Sequence, residues 1–185
     1  MAYSVTTAPA SEPITTAEAK THLRVDVSAE DTYIDTLVTA ARSWCEKYTN
    51  RALITQTVTE TFDTFPATGE SLILTVGKVA SVTTVKYWAD GAQSTWTNTN
   101  YIVDPVGEQA RISEALDITW PEIDDRVNAV EVIYVVGTSS SSAPAPIKHA
   151  ILLLVGSMYE NREDTVRKVP GVIEFLLNPY RIWRF

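Results

Sequence analysis

Residues 28–62 read SAEDTYIDTLVTAARSWCEKYTNRALITQTVTETF, and the spacing of the apolar side chains changes within this stretch. Up to Asn50 they recur every three or four residues, which predicts an amphipathic helix that ends near that residue. From Ala52 the pattern is mostly that of a strand, with Val58 and Phe62 assigned to one face and Glu60 to the other. A long helix that leads directly into strands indicates an α+β fold.

Further helices are predicted on both sides of this stretch. Thr15 followed by Glu18 has the form of a capping box, which predicts a short first helix. Pro146 suits the first turn of a second long helix that runs to about Asn161, and a short helix follows until Asn178 and Pro179 stop it. We therefore expect a bundle of two long and two short helices, built from residues of about 15–50 and 146–178.

The region between the helical portions is predicted to be an antiparallel β insert over about 52–136, with a hairpin turn at Asp90-Gly91. Residues 137–146 read GTSSSSAPAP, which is typical of a linker. We expect a flexible N-terminal arm over 1–14, a single domain over 15–179 and an extended C-terminal arm over 180–185. The predicted strands after Phe62 are Ser71–Val76, Ser81–Trp88, Thr95–Val103, Arg111–Ser113 and Ala129–Val136.

Composition excludes several classes of protein. The 185 residues are 45% hydrophobic and 21% charged, as in soluble globular proteins. The net charge of −8 argues against a basic surface that binds phosphate backbones. Residues 162–185 contain five basic and three acidic side chains, so they carry +2 while the preceding residues carry −10. The longest aliphatic run, Ala150 to Val155, is too short to span a membrane, and no signal peptide is visible.

Few residues are candidates for catalysis or metal binding, and each has a structural explanation. Cys45 lies on the apolar stripe of its helix, so we interpret it as a core thiol. His149 and Glu160 are roughly 16 Å apart along one helix, too far for one metal site. His22 is interpreted as a surface residue near a turn, although it could pair with Asp26. Two runs of carboxylates fit solvated loops better than acid–base catalysis or cation binding; they are Glu122, Asp124 and Asp125, and Glu160, Glu163 and Asp164. We predict no enzyme, and no catalytic, cofactor-binding or metal-binding residue.

Aromatic residues allow two further interpretations. Trp88, Trp96 and Tyr101 are compatible with a carbohydrate- or receptor-binding accessory module, but a place in the core of the sheet is favoured. The last six residues alternate apolar and basic side chains, a composition typical of anchors in protein interfaces. They are Tyr180, Arg181, Ile182, Trp183, Arg184 and Phe185. The alternative, that this tail folds back on its own sheet, stays open on physical grounds.

The order of the segments resembles a known family. The segments are residues 15–57, 144–163 (PAPIKHAILLLVGSMYENRE) and 169–185 (VPGVIEFLLNPYRIWRF), with KTHLRVD from Lys20 to Asp26 and CEKYTNRALITQT from Cys45 to Thr57 as the most specific parts. Together they are similar to the gp6-like head-tail connector (adaptor) family of tailed phages, which includes the adaptors of gene transfer agents.

This resemblance implies a structural protein of the virion neck without cofactors, assembled in the cytoplasm of a bacterial host. It implies a homo-oligomeric ring, commonly of twelve copies, that docks below the portal protein and extends the DNA channel. The ring would carry a stopper or another tail protein, and double-stranded DNA would pass without sequence-specific binding. The family implies no membrane contact and a portal contact through the C-terminal segment, here Tyr180 to Phe185.

Overall fold

The computed structural model describes residues 2–107, 109–139, 142–163 and 170–183. These residues form two compact units. The β unit contains residues 2–9 and Thr55–Gly137, and the helical unit contains Ala10–Ile54 and Thr138–Trp183. The predicted α+β fold is confirmed, while the limits of a connector domain over 15–179 stay a prediction.

The helical unit has the two long and two short helices that the sequence predicts. Thr15 caps the first helix as expected: its Oγ1 accepts a hydrogen bond from Glu18 N at 3.2 Å, and Glu18 Oε2 accepts one from Thr15 N at 2.7 Å. The second helix ends at Asn50, which has a left-handed backbone (φ 52°). The helices are α1 (Thr16–Leu23), α2 (Asp31–Thr49), α3 (Ala145–Glu160) and α4 (Gly171–Leu177).

The core of the helical unit is aliphatic. The apolar stripes of α2 and α3 supply most of it, because their residues at helical spacing point to one side. Two buried residues of α4, Ile173 and Leu177, complete it. Its fully buried large members also include Ile34, Val38, Ile147 and Ile151.

The β unit contains two antiparallel sheets. The larger has the strand order β1-β2-β8-β4-β5 and the smaller the order β3-β7-β6. The strands are β1 (Ala2–Thr7), β2 (Gln56–Phe62), β3 (Leu72–Ile73), β4 (Val79–Ala89), β5 (Ala92–Trp96), β6 (Tyr101–Asp104), β7 (Arg111–Glu114) and β8 (Val130–Val136). The hairpin at Asp90-Gly91 is present, with φ of 53° and 76° at these two residues.

Three predictions about strands need correction. The expected flexible arm over 1–14 is wrong for Ala2–Thr7, which pair with β2 through backbone hydrogen bonds. The expected strand Thr95–Val103 is divided by a 3-10 turn at Asn98–Asn100, so its halves belong to different sheets. Glu60 does not face away from Val58, because residues two apart share a face of a strand, and Glu60 is buried.

The predicted linker over 137–146 is shorter in the structure, because its last two residues belong to α3. Gly137, with φ 83°, follows the end of β8, and α3 begins at Ala145 with Pro146 in its first turn. Within the described ranges, no helix is long and apolar enough to cross a membrane. Ser140 and Ser141 lie outside the described residues.

Candidate partner-binding surface at the C-terminal segment

The predicted partner-binding residues follow α4, which fixes where they begin. Ile173 and Leu177 are fully buried in the helical core, so α4 is held by its apolar face. Its other side leaves Val172 51% exposed and Phe175 75% exposed. These two residues are three apart and therefore share a helix face. The helix thus presents apolar side chains to solvent beside the C-terminal segment in sequence.

Residues 178–182 are attached to the end of α2 by hydrogen bonds. Ile182 N donates to Thr49 O at 2.8 Å, and Asn50 Nδ2 donates to Ile182 O at 2.9 Å. Tyr48 Oη donates to Asn178 Oδ1 at 2.8 Å. The side chain of Ile182 is only 5% exposed. Ile182 is therefore an anchor within the protein and not a free contact residue.

Arg181 and Trp183 extend a stack of rings that starts on α2. Trp44 and Tyr48 stack with their ring centroids 5.1 Å apart. The Arg181 guanidinium lies 5.0 Å from the Tyr48 centroid and 4.3 Å from the Trp183 centroid. Cation–π contacts of this kind restrict a side chain without covering it. Trp183 remains 58% exposed, so a large aromatic ring is held in place on the surface.

The structure separates the six predicted residues into different roles. Tyr180 and Arg181 are half-buried, Ile182 is buried, and Trp183 is exposed. Arg184 and Phe185 lie outside the described residues. The described part of the tail is held by residues at the end of α2, within the helical unit. Within the described residues, the surface available to a partner is Trp183, and Val172 and Phe175 are the nearest exposed apolar side chains in sequence.

Sequence reasoning did not find the residues that hold the segment. Tyr48 has the spacing of a core residue of α2, and nothing in the sequence links it to Asn178. Asn50 and Arg51 follow the end of α2. Asn is common at that position of a helix, so neither side chain indicates by its place in the sequence that it contacts the C-terminal segment. Arg51 Nε donates to Tyr180 O at 3.3 Å. Such contacts over some 130 positions of chain depend on the fold.

Cys45 has none of the properties of a nucleophile. Its side chain is fully buried in the helical core, and burial raises the pKa of the thiol to about 12. A thiolate is the reactive form, so this residue is inert at neutral pH. The interpretation of Cys45 as a core thiol agrees with these observations.

The candidate carboxylates and histidines do not assemble into a site within the described ranges. Asp124 Oδ2 accepts a hydrogen bond from Gly91 N at 3.0 Å, so it supports the hairpin turn. His22, His149 and Glu160 are exposed, and Asp164 lies outside the described residues. Among the described residues, no group of three His, Cys, Asp or Glu side chains is placed to hold a metal ion.

The aromatic residues considered for glycan binding are largely unavailable to a ligand. Trp96 and Tyr101 are 5% and 8% exposed, and their rings stack with centroids 5.4 Å apart. Phe65 and Trp120 stack at 4.8 Å within the same cluster. Trp88 is covered by Arg126, whose guanidinium carbon lies 4.0 Å from the ring centroid. Phe65, Trp96, Tyr101 and Trp120 form an aromatic cluster in the β unit, and Trp88 lies half-buried with its own Arg126 contact.

Comparison with known proteins gives this arrangement its context. The family model of the head completion protein matches residues 12–172. The chain belongs to the head completion protein family. Among curated proteins, no significant match to this head completion protein is found.

Solved structures resemble this head completion protein along its whole length. A chain in the neck of an empty GTA particle computed with C6 symmetry is 26% identical with a TM-score of 0.82, over 100% of this chain and 97% of that chain. A chain in the virion of a native gene transfer agent (GTA) particle is 27% identical with a TM-score of 0.82, over the same shares. A chain in the neck of a native GTA particle computed with C12 symmetry is 25% identical with a TM-score of 0.74, again over 100% and 97%.

These findings confirm the predicted class of this head completion protein, a head-tail connector located in a virion neck. The family is a structural one. The comparisons match both units, because the family model begins in the helical unit, passes through the β unit and ends in α4.

Proposed function

We propose that this protein is the adaptor of a tailed phage or gene transfer particle, and that it forms a homo-oligomeric ring of twelve copies. The ring docks below the portal protein, extends the DNA channel and carries a stopper or another tail protein. One observation carries the proposal: the likeness to neck proteins covers the whole chain at a TM-score of 0.82. The C12 symmetry of one of those necks supports twelve copies.

The role is that of a scaffold and not of an enzyme. A ring closes through heterologous contacts, so each copy uses two different surfaces and leaves apolar residues exposed in the isolated chain. Val172 and Phe175 are residues of this kind. Among the described residues, the Cys45 thiol is buried with a raised pKa, and no group of three His, Cys, Asp or Glu side chains is placed to hold a metal ion; both observations are compatible with a structural role.

Trp183 is proposed as the main portal contact within the described residues, followed in sequence by Arg184 and Phe185. Tryptophan is enriched among residues that contribute most to binding. The contact with Arg181 orders the indole side chain of Trp183 before binding, which lowers the conformational entropy lost on docking. Tyr180, Arg181 and Ile182 act indirectly, because they hold Trp183 on the end of α2.

The test is binding of the full chain to purified portal rings, measured by biolayer interferometry. Trp183→Ala is expected to weaken docking by at least tenfold, the scale of an interface hot spot. The matched control is Leu116→Ala, which truncates an apolar residue of the β unit that is 87% exposed. Docking of Trp183→Ala with the affinity of the unchanged chain would contradict the proposed contact. Failure of the unchanged chain to bind any portal would contradict the adaptor role.

A further inference from the structure

Two edges of the larger sheet are open. Among the strands of the described residues, β1 pairs with β2 alone, so it is an edge strand. On the other side, β5 pairs with β4 only from Val85 to Ala89, so residues 79–84 of β4 form the outer edge there. The side chains of residues 3–7 are exposed, as are those of Ala80, Ser81 and Thr83. Each open edge can accept another strand.

Neither open edge carries the charged or proline residues that protect many sheet edges, although each is irregular: the register shifts between Val5 and Thr7 in β1, and between Val79 and Ser81 and between Val82 and Thr84 in β4. Natural edges commonly carry charged side chains or proline, which prevent pairing with other chains. The β unit has twelve acidic and four basic residues, yet β1 (AYSVTT) and residues 79–84 (VASVTT) contain no charge and no proline. Both edges also contain the same tetrapeptide, Ser4 to Thr7 and Ser81 to Thr84. The neutral edges are therefore not a consequence of a neutral unit.

The register places the two tetrapeptides at the same level of the sheet. Val5 pairs with Val58, Val58 with Tyr134, and Tyr134 with Val82, so these four residues form one row across four strands. Residues in one row share a face of the sheet. The middle of the row is buried, with Val58 1% and Tyr134 0% exposed, whereas Val5 at one end is 49% exposed. Val82 at the other end is half-buried. The apolar row is thus open at both ends.

The strand directions allow these edges to meet in a ring. Three successive antiparallel pairings separate β1 from β4, so the two strands run in opposite directions. In a ring of twelve copies, neighbours differ by a rotation of about 30°, which does not reverse a strand. β1 of one copy therefore meets β4 of the next copy in antiparallel orientation. Antiparallel pairing is the more stable of the two arrangements.

On the basis of the proposed ring, we propose that β1 of one copy adds to the edge formed by residues 79–84 of a second copy, which joins the sheets of neighbouring subunits. With Val5 opposite Val82, Ser4 lies beside Thr83 and Thr6 beside Ser81. Thr6 and Thr83 are the extra residues at the register shifts of β1 and β4, so neither is paired with the neighbouring strand of its own sheet. Cross-strand pairs of hydroxyl residues and of β-branched residues stabilise such contacts. The pairing continues the apolar row of one copy into that of the next.

The experiment is disulfide trapping with Val5→Cys and Val82→Cys in the same full-length chain. Within one chain the two positions are three strand spacings apart, roughly 14 Å, which exceeds the reach of a disulfide. Any bond between them is therefore intermolecular. The native Cys45 does not interfere, because it is buried and its pKa is raised to about 12. Mild oxidation of assembled rings is expected to give a ladder of covalent oligomers on a non-reducing gel.

The matched control combines Val5→Cys with Ile102→Cys, which lies on the smaller sheet and is 58% exposed. It is expected to stay monomeric on the gel, as are both single variants. In a second measurement, Val5→Lys or Val82→Glu alone is expected to weaken ring assembly at least tenfold, and the two together to restore it by pairing opposite charges. Rings that are visible by electron microscopy but give no ladder with Val5→Cys and Val82→Cys would overturn the strand pairing and leave the adaptor role intact. Absence of rings in the unchanged chain, on the portal and in solution, would overturn both.

Discussion

Glu60 illustrates how a single residue joins parts of the β unit. Its carboxylate lies in the middle of β2 and is fully buried. It accepts hydrogen bonds from Tyr134 Oη at 2.7 Å, from Thr75 N at 3.0 Å and from Thr75 Oγ1 at 2.6 Å. Burial, together with the adjacent carboxylate, raises the pKa of Tyr134, so its hydroxyl remains a donor. The carboxylate thereby links two strands to the segment between β3 and β4.

Replacement of Glu60 is expected to destabilise the β unit strongly. Glu60→Ala leaves the buried donors of Tyr134 and Thr75 without an acceptor, which should lower the free energy of unfolding by about 3 kcal/mol. Tyr134→Phe removes one of the three hydrogen bonds and should cost about 1 kcal/mol. Urea-induced unfolding followed by circular dichroism measures both values. A loss below about 0.5 kcal/mol for Glu60→Ala, the range of ordinary surface substitutions, would show that these hydrogen bonds contribute little.

Single residues also mark the limit of what the sequence predicts. Thr15, Asn50 and the Asp90-Gly91 turn act locally, through bonds to neighbours in sequence, and their roles are predictable for that reason. The strand pattern assigns Glu60 to a polar face, and carboxylates are rarely buried. Its burial depends on Tyr134, which is 74 positions away in the chain. Pairing at that distance cannot be inferred from local spacing.

At the scale of elements, the helices follow from periodicity and the strands only in part. The long helices have apolar stripes that face one core, so their existence, type and approximate ends are predictable. β1 lacks such a stripe, because its side chains are exposed on both faces and it is held through its backbone. β3 (Leu72–Ile73) lies within the predicted strand Ser71–Val76 but is only two residues long. For β1, the missing signal is side-chain burial.

In the C-terminal segment, Ile182 is a buried anchor and Trp183 is exposed. The two residues are therefore expected to differ in their contribution to stability. Ile182→Ala should lower the free energy of unfolding by about 3 kcal/mol, because it removes a buried aliphatic side chain. Trp183→Ala should cost no more than about 0.5 kcal/mol, because its side chain is mostly exposed. Chemical denaturation of the two variants, both close to the C-terminus, measures the difference.

The same contacts predict the effect of truncation. A chain that ends at Ile182 should fold with nearly unchanged stability, whereas one that ends at Pro179 loses the hydrogen bonds to Thr49 and Asn50 and should be less stable. Equal stability of the two truncated chains would mean that the segment is not docked on α2. The candidate surface was predictable from composition, since aromatic and arginine residues cluster there. Its division into an internal anchor and an exposed contact was not, because that depends on the end of α2.

For the whole molecule, the structure changes which part of the chain the net negative charge is assigned to. The sequence suggests an acidic body with a basic tail. Divided by units, residues 2–9 and Thr55–Gly137 contain twelve acidic and four basic residues, whereas Ala10–Ile54 and Thr138–Trp183 contain eleven acidic and ten basic residues. The β unit therefore carries −8 and the helical unit −1. The excess of negative charge therefore lies in the β unit, and such a charge disfavours binding to DNA phosphates.

This charge distribution predicts how the protein behaves toward double-stranded DNA. Binding to DNA without sequence preference depends on contacts between cations and phosphates, so an adaptor through which DNA passes should have few. We expect no binding of a labelled duplex by fluorescence anisotropy at about 0.15 M salt, up to roughly 100 µM protein, where non-specific DNA-binding proteins are already bound. A variant with Asp117→Lys, Glu122→Lys and Asp125→Lys changes three exposed acids and brings the β unit from −8 to −2. It should bind measurably, with an affinity that falls as salt increases. Salt-dependent binding by the unchanged chain would contradict the idea that its acidic unit lets DNA pass freely.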